Sequence, residues 1–113
     1  MQLTLSYIWS PDLDPPSEGH PQDVDDFEVA MQVSVAEVGQ PGGEIFSFTV
    51  CSPSALARTG SGRFVTHTLV QQAFSWSALR ARLEKLLAQC GSCESWADVI
   101  QRLSPFLRYN DAD

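Results

Sequence analysis

Two runs of alternating apolar and polar residues, joined by a glycine-rich segment, constrain the fold of this chain more than any other feature. In the first run, 27–35, every second residue is Phe, Val or Met, and the residues between are Glu, Ala, Gln and Ser. The second run, IFSFTVCS at 45–52, alternates in the same way and ends at a proline. A period of two is typical of a strand with one buried face. Because GQPGGE, 39–44, resembles a hairpin connection, we expect two antiparallel strands here.

Two further segments have the character of strands. Near the N-terminus Leu3, Leu5, Tyr7 and Trp9 alternate with Gln, Thr, Ser and Ile, which predicts a first strand with those four residues on one face. RFVTHTLV, 63–70, is rich in β-branched residues and predicts a fourth strand. The sheet is therefore expected to have about four strands and to be antiparallel.

The period changes at Ser75. Beyond it, apolar residues recur at intervals of three and four as far as Cys90, which predicts an amphipathic helix capped by the glycine that follows. Ser95 and Asp98 have the spacing of a capping box and predict a second helix, which ends before Pro105. The sequence thus predicts an α+β fold in the order β-β-β-β-α-α, with both C-terminal helices packed on one face of the sheet and a frayed NDAD ending.

Length and composition favour one domain over residues 1–113. A chain of this length can bury a single core, and 43% hydrophobic with 19% charged residues is close to globular values. The N-terminus has no signal-peptide pattern, and no apolar run approaches the ~18 residues needed to span a bilayer. An odd number of cysteines, three, fits a reducing compartment better than a disulfide framework. We expect a cytoplasmic protein without a membrane segment.

Charge is divided unevenly along the chain. Residues 1–57 contain nine acidic residues and no Lys or Arg, whereas 58–113 contain seven basic and five acidic residues. A protein with this polarity lacks the basic face that nucleic-acid binding requires. The acidic first half favours a basic protein partner, although an acidic surface can also serve only to keep a protein soluble.

Most of the acidic residues of 1–57 fall in one segment. Residues 10–25 and their neighbours carry four prolines and one glycine, a composition that continues neither strand nor helix. A loop of this length is uncommon and is usually functional or disordered. We expect a long acidic loop, and its candidate partner-binding residues are Asp12, Asp14, Glu18, Asp23, Asp25, Asp26 and Glu28.

No motif predicts catalysis, a metal site or a cofactor. The C-G-S-C segment at 90–93 begins at a helix C-terminus, where the helix dipole opposes a thiolate, so Cys90 is expected to be a small buried core residue. His20 and His67 have no nucleophile at a recognisable spacing. TGSGR at 59–63 lacks the lysine of a phosphate-binding loop, and D-x-D spacing alone does not make a calcium loop.

Several segments taken in order resemble the immunity protein 8 family of bacterial polymorphic toxin systems. They are SPDLD near residue 10, FSFTVCSP followed by SAL, RFVTHTLV, LEKLLAQC and SWADVIQRL, and they span nearly the whole chain. The family often has a tryptophan in the strand at 63–70 and an aromatic-acidic ending. This chain has Phe64 and RYND at those places.

The resemblance implies a non-catalytic cytoplasmic protein that binds a cognate toxin domain. We expect it to be a monomer that forms a 1:1 complex with the toxin. Many such toxins are nucleases with basic clefts, and the acidic residues of this chain fit such a partner, so our hypothesis is an acidic interface. One alternative is a small acidic secretion chaperone, which binds an effector without blocking its activity. A third class, a small hydrolase or redox protein, would require a role for the three cysteines or the two histidines.

Overall fold

The computed structural model describes residues 1–110. In chain order the elements are β1 (Leu3–Trp9), β2 (Glu28–Glu37), β3 (Glu44–Cys51), α1 (Pro53–Thr59), β4 (Thr68–Val70), α2 (Trp76–Ala88), α3 (Trp96–Leu103) and β5 (Arg108–Tyr109). The predicted α+β class is confirmed, as are the strand order and the two C-terminal helices. The short helix α1 and the strand β5 are additional to the predicted elements.

The sheet has the order β1-β2-β3-β4, and β5 pairs with the other end of β3 on the same side as β4. The predicted hairpin is present: β2 and β3 pair antiparallel over eight positions, with Met31 opposite Phe48. The connection turns at Gly42, whose φ of +78° is a conformation that other residues rarely adopt. The hairpin therefore supplies the two central strands of the sheet.

β1 carries a register shift between Leu5 and Tyr7, which corrects the predicted face of this strand. The extra residue of a β-bulge moves every following side chain to the opposite face. As a result Ile8 is buried and Tyr7 is 68% exposed. Strict alternation had placed Tyr7 on the inner face and Ile8 on the outer face.

β4 is shorter than predicted and runs parallel to β3. A parallel pair requires a crossover, and α1 with the loop after it provides the connection. Ser52 caps α1 by accepting a hydrogen bond from the Ala55 amide. The extended run begins only after His67, whose φ of +51° breaks the strand that the sequence predicts from residue 63.

The helices cover the inner face of the sheet. Leu79, Leu83 and Leu87 of α2 and the buried residues of α3 belong to one core cluster with the inward side chains of β2 and β3. Ser95 caps α3 as the sequence predicts, and Ser75 caps α2. α2 ends at Ala88 with Gln89 as its C-cap, before the glycine that was expected to cap it.

The last described residues lie against β3. The amide of Asn110 donates to the Ile45 carbonyl at 2.9 Å, and the Tyr109 hydroxyl donates to Glu44 at 2.8 Å. Asn110 is therefore held by the sheet instead of fraying, and the rest of the NDAD ending lies outside the described residues. Phe106 is 50% exposed, whereas Leu107 is buried.

Candidate protein-binding surface

The acidic segment has no helix or strand, but it is packed by local hydrogen bonds and core contacts. Ser10 is fully buried, and its amide donates to the Pro16 carbonyl at 2.8 Å. Leu13 belongs to the hydrophobic core. The Trp76 indole of α2 donates to the Gly19 carbonyl at 2.8 Å. These contacts hold the carboxylates of the segment on a defined backbone.

Asp12 has a structural contact at the end of β1. Its Oδ2 accepts a hydrogen bond of 2.8 Å from the Ala30 amide, and the Ser10 hydroxyl donates to the Ala30 carbonyl. Both backbone groups of Ala30 are thus bonded by side chains just beyond the last β1–β2 pair, Trp9 with Gln32. The contact places the Asp12 carboxylate beside the first residues of β2.

Asp26 binds the crossover helix. Its Oδ1 accepts from Arg58 Nη1 at 2.9 Å and from the Ser54 hydroxyl at 2.8 Å. The Ser54 hydrogen bond and then the Arg58 guanidinium hold the pKa of this carboxyl below its usual value. The contact fixes the end of the acidic segment to α1.

Asp23, Asp25 and Glu28 complete this part of the surface. Asp23 Oδ1 accepts from the Asp25 amide at 2.9 Å, an Asx-turn that shapes the backbone. Asp23, Asp26 and Glu28 line one shallow, open depression together with uncharged residues of 21–27. The structure therefore brings Asp23, Asp26 and Glu28 together. Asp12 bonds to Ala30, which is two positions along β2 from Glu28.

Asp14 and Glu18 lie on a separate turn. The Gly19 amide closes this turn by bonding to the Pro15 carbonyl at 2.7 Å. A side chain at Gly19 would meet the Asp14 carbonyl oxygen at 2.7 Å, so the turn requires glycine there. No contact joins these two carboxylates to the depression within residues 1–110.

All seven carboxylates are exposed, but they differ in their internal partners. Asp12, Asp23 and Asp26 accept the hydrogen bonds described above. Within the described part of the chain, the other four make no side-chain hydrogen bond or ion pair: Asp14, Glu18, Asp25 and Glu28. These four carboxylates are free to meet a partner.

The cysteines are buried free thiols. Cys90 is completely buried and belongs to the core cluster, as the sequence predicts, and Cys93 joins the same cluster. Burial, and then the neighbouring Cys93, raise the pKa of the Cys90 thiol. Within residues 1–110, no group of three His, Cys, Asp or Glu residues is placed to hold a metal ion.

The structure also has a groove, away from the seven carboxylates, that the sequence did not predict. It has a volume of about 630 Å³ and runs between β4, α2 and the segment after α3, with Arg82 and Lys85 among its lining residues. Sequence alone did not show it because strand residues, helix residues and the chain end meet there only in the folded protein. The apolar residues on both sides of RFVTHTLV were the available signal.

No helix in the described part of the chain is long and apolar enough to cross a membrane.

Fold and surface define the class as a small α+β protein that presents a set of exposed carboxylates. Residues 3–111 match the model of the family described as Immunity protein 8. The chain belongs to this family, and it is an immunity protein of a toxin system that binds a cognate toxin protein. Immunity proteins are in general not enzymes. No curated protein and no solved structure matches the chain.

Proposed function

We propose that this protein neutralises a basic toxin domain, of the nuclease type, by binding it in the cytoplasm through the acidic surface. Here the acidic surface means Asp12, Asp14, Glu18, Asp23, Asp25, Asp26 and Glu28. The protein acts without catalysis, cofactor or metal, as a monomer in a 1:1 complex. Neither nucleic acid nor membrane is its partner.

The observation that supports this proposal most is the excess of unpaired exposed carboxylates. Within the described residues Arg58 is the single basic side chain that pairs with any of the seven, and its partner is Asp26. An uncompensated acidic field accelerates the approach of a basic protein and raises its affinity. A nuclease cleft attracts phosphates with basic side chains, so the same carboxylates would compete there with the substrate.

Individual carboxylates have different roles in this proposal. Asp12 and Asp26 hold the acidic segment against β2 and α1, and Asp23 shapes its turn. Asp25 and Glu28 have no such contact, so their charge can be reversed with the least disturbance to the fold. They are therefore the best positions for a test of binding.

The function is tested by growth of cells that express the toxin domain encoded beside this gene, with and without this protein, and by co-purification of the pair. Rescue together with a stable complex is the expected result. A stable complex without rescue would favour the secretion chaperone instead. If neither rescue nor a complex is observed, the proposal is overturned.

A further inference from the structure

The groove between β4 and α2 has the chemistry of a second contact site. Its floor is apolar and buried, with Phe48 of the sheet, Leu83 of α2 and Leu107 near the chain end. Its rim is apolar and exposed: Val65 is 44%, Val70 44% and Phe106 50% exposed, and Phe64 next to the rim is fully exposed. Exposed large apolar side chains concentrated at one concavity are typical of an interaction site.

The charge of the groove is opposite to that of the acidic surface. Arg82 and Lys85 lie one helical turn apart on α2, and both line the groove. Within residues 1–110 neither makes an ion pair. In a chain of formal net charge −7, two unpaired cations beside an apolar floor favour an occupant that combines apolar side chains with carboxylates.

The shape of the groove favours an extended occupant. Six consecutive residues, 65–70, line it, so it follows the whole length of β4. β4 is the last strand of the β1-β2-β3-β4 order, and its ladder with β3 uses the His67 carbonyl and the Gln71 amide. Because bonding alternates along a parallel strand, the backbone groups of Thr68 and Val70 point away from β3. An edge of this kind can accept another strand.

We propose that the groove binds an extended, acidic segment of the protein partner, which adds a strand to the edge of β4. Its apolar side chains would contact the floor at Phe48 and Leu83, and its carboxylates would pair with Arg82 and Lys85. This inference rests on the proposed function only in taking the segment from the toxin. Binding at the groove does not require that the acidic surface takes part.

The test uses a short fluorescein-labelled peptide in which valine alternates with glutamate, and fluorescence anisotropy as the measurement. Saturable binding to the full-length protein is expected, with no binding of a peptide that has lysine in place of glutamate. Lys85→Glu should weaken binding by on the order of tenfold, through loss of an attraction and gain of a repulsion. Arg80→Glu is the matched control, because Arg80 is exposed on the same helix outside the groove.

A second variant tests the strand edge directly. Val70→Pro removes an amide that points away from β3, so the folded sheet should tolerate it while peptide binding is lost. Circular dichroism shows whether the variant folds, and amide chemical shifts of the wild type with peptide should change at residues 66–70. Absence of saturable binding, equal binding of both peptides, or equal effects of Lys85→Glu and Arg80→Glu would each overturn the inference. Growth rescue by the wild type would still support the proposed function in any of these cases.

Discussion

Arg58 Nη1 lies 2.9 Å from Asp26 Oδ1, so the crossover helix α1 holds the end of the acidic segment. The two residues are 32 positions apart in sequence, and both are partly exposed. Ser54 donates to the same carboxylate oxygen. Because Asp26 already has two partners, its contribution to the protein is first of all to position the segment that carries the free carboxylates.

This contact predicts a pH-dependent difference between the wild type and Asp26→Asn. The folded state lowers the pKa of Asp26 from 3.8, so the stabilisation is present above that pH and is lost as the pH falls through the lowered value. Thermal unfolding should show the wild type more stable at neutral pH and the two proteins alike in strong acid. A difference that persists unchanged in strong acid would contradict the assignment. Asp25→Asn is the matched control, because Asp25 has no ion pair in the described residues.

Removing the Ser52 cap should lower the stability of the protein more than the loss of an ordinary helix cap. The Ser52 hydroxyl accepts from the Ala55 amide at 3.2 Å and from the buried Phe27 amide at 3.1 Å. Ser52→Ala leaves both donors without this partner, so the free energy of unfolding should fall by about 2–3 kcal/mol. Ser75→Ala, which removes a cap at an α2 end, should cost about 1 kcal/mol. Urea denaturation measures both values, and equal losses would show that the Phe27 contact contributes nothing.

The bulge in β1 predicts which of two neighbouring residues supports the core. Ile8→Ala should lower the free energy of unfolding by about 2–4 kcal/mol, because Ile8 is buried after the register shift. Tyr7→Ala should cost less than about 1 kcal/mol, since Tyr7 projects outward. The reverse order of the two losses in urea denaturation would mean that β1 alternates without a bulge.

The burial of Cys90 indicates a structural role for C-G-S-C. Substitution of Cys90 tests the redox alternative. Because the pKa of Cys90 is raised by burial, the thiol stays protonated at neutral pH and should react with iodoacetamide much more slowly in the folded than in the denatured protein. Cys90→Ala should cost about 1–2 kcal/mol of stability and leave protection of cells unchanged. Loss of protection by a variant that remains folded would favour thiol chemistry.

Much of the fold follows from local patterns in the sequence. The hairpin, the serine cap of α3 and the buried Cys90 were predictable, because each depends on spacing within a few residues. The face of Ile8 was not, since a bulge leaves no mark in an alternating run. The direction of β4 was also not predictable, because it depends on α1, which has only seven residues, and on the backbone of His67.

The candidate site was likewise predictable only in part. Composition predicts that the acidic segment carries the charge, but it cannot distinguish Asp26, bound to α1, from Asp25, which is free. That distinction depends on Arg58 and Ser54, which are distant in sequence. The groove brings α2 beside β4 and the chain end, so its cations acquire their apolar neighbours only through tertiary packing.

The most direct test of the central proposal is the association rate constant of this protein with its toxin domain, measured by stopped-flow at low and high salt. Asp25→Lys and Glu28→Lys should each slow association by about tenfold at low salt, with a smaller effect at high salt, because both would replace attraction by repulsion. Glu94→Lys is the control, since Glu94 is exposed and lies outside the acidic surface. If the two variants associate as fast as Glu94→Lys at both salt concentrations, the acidic surface does not meet the toxin.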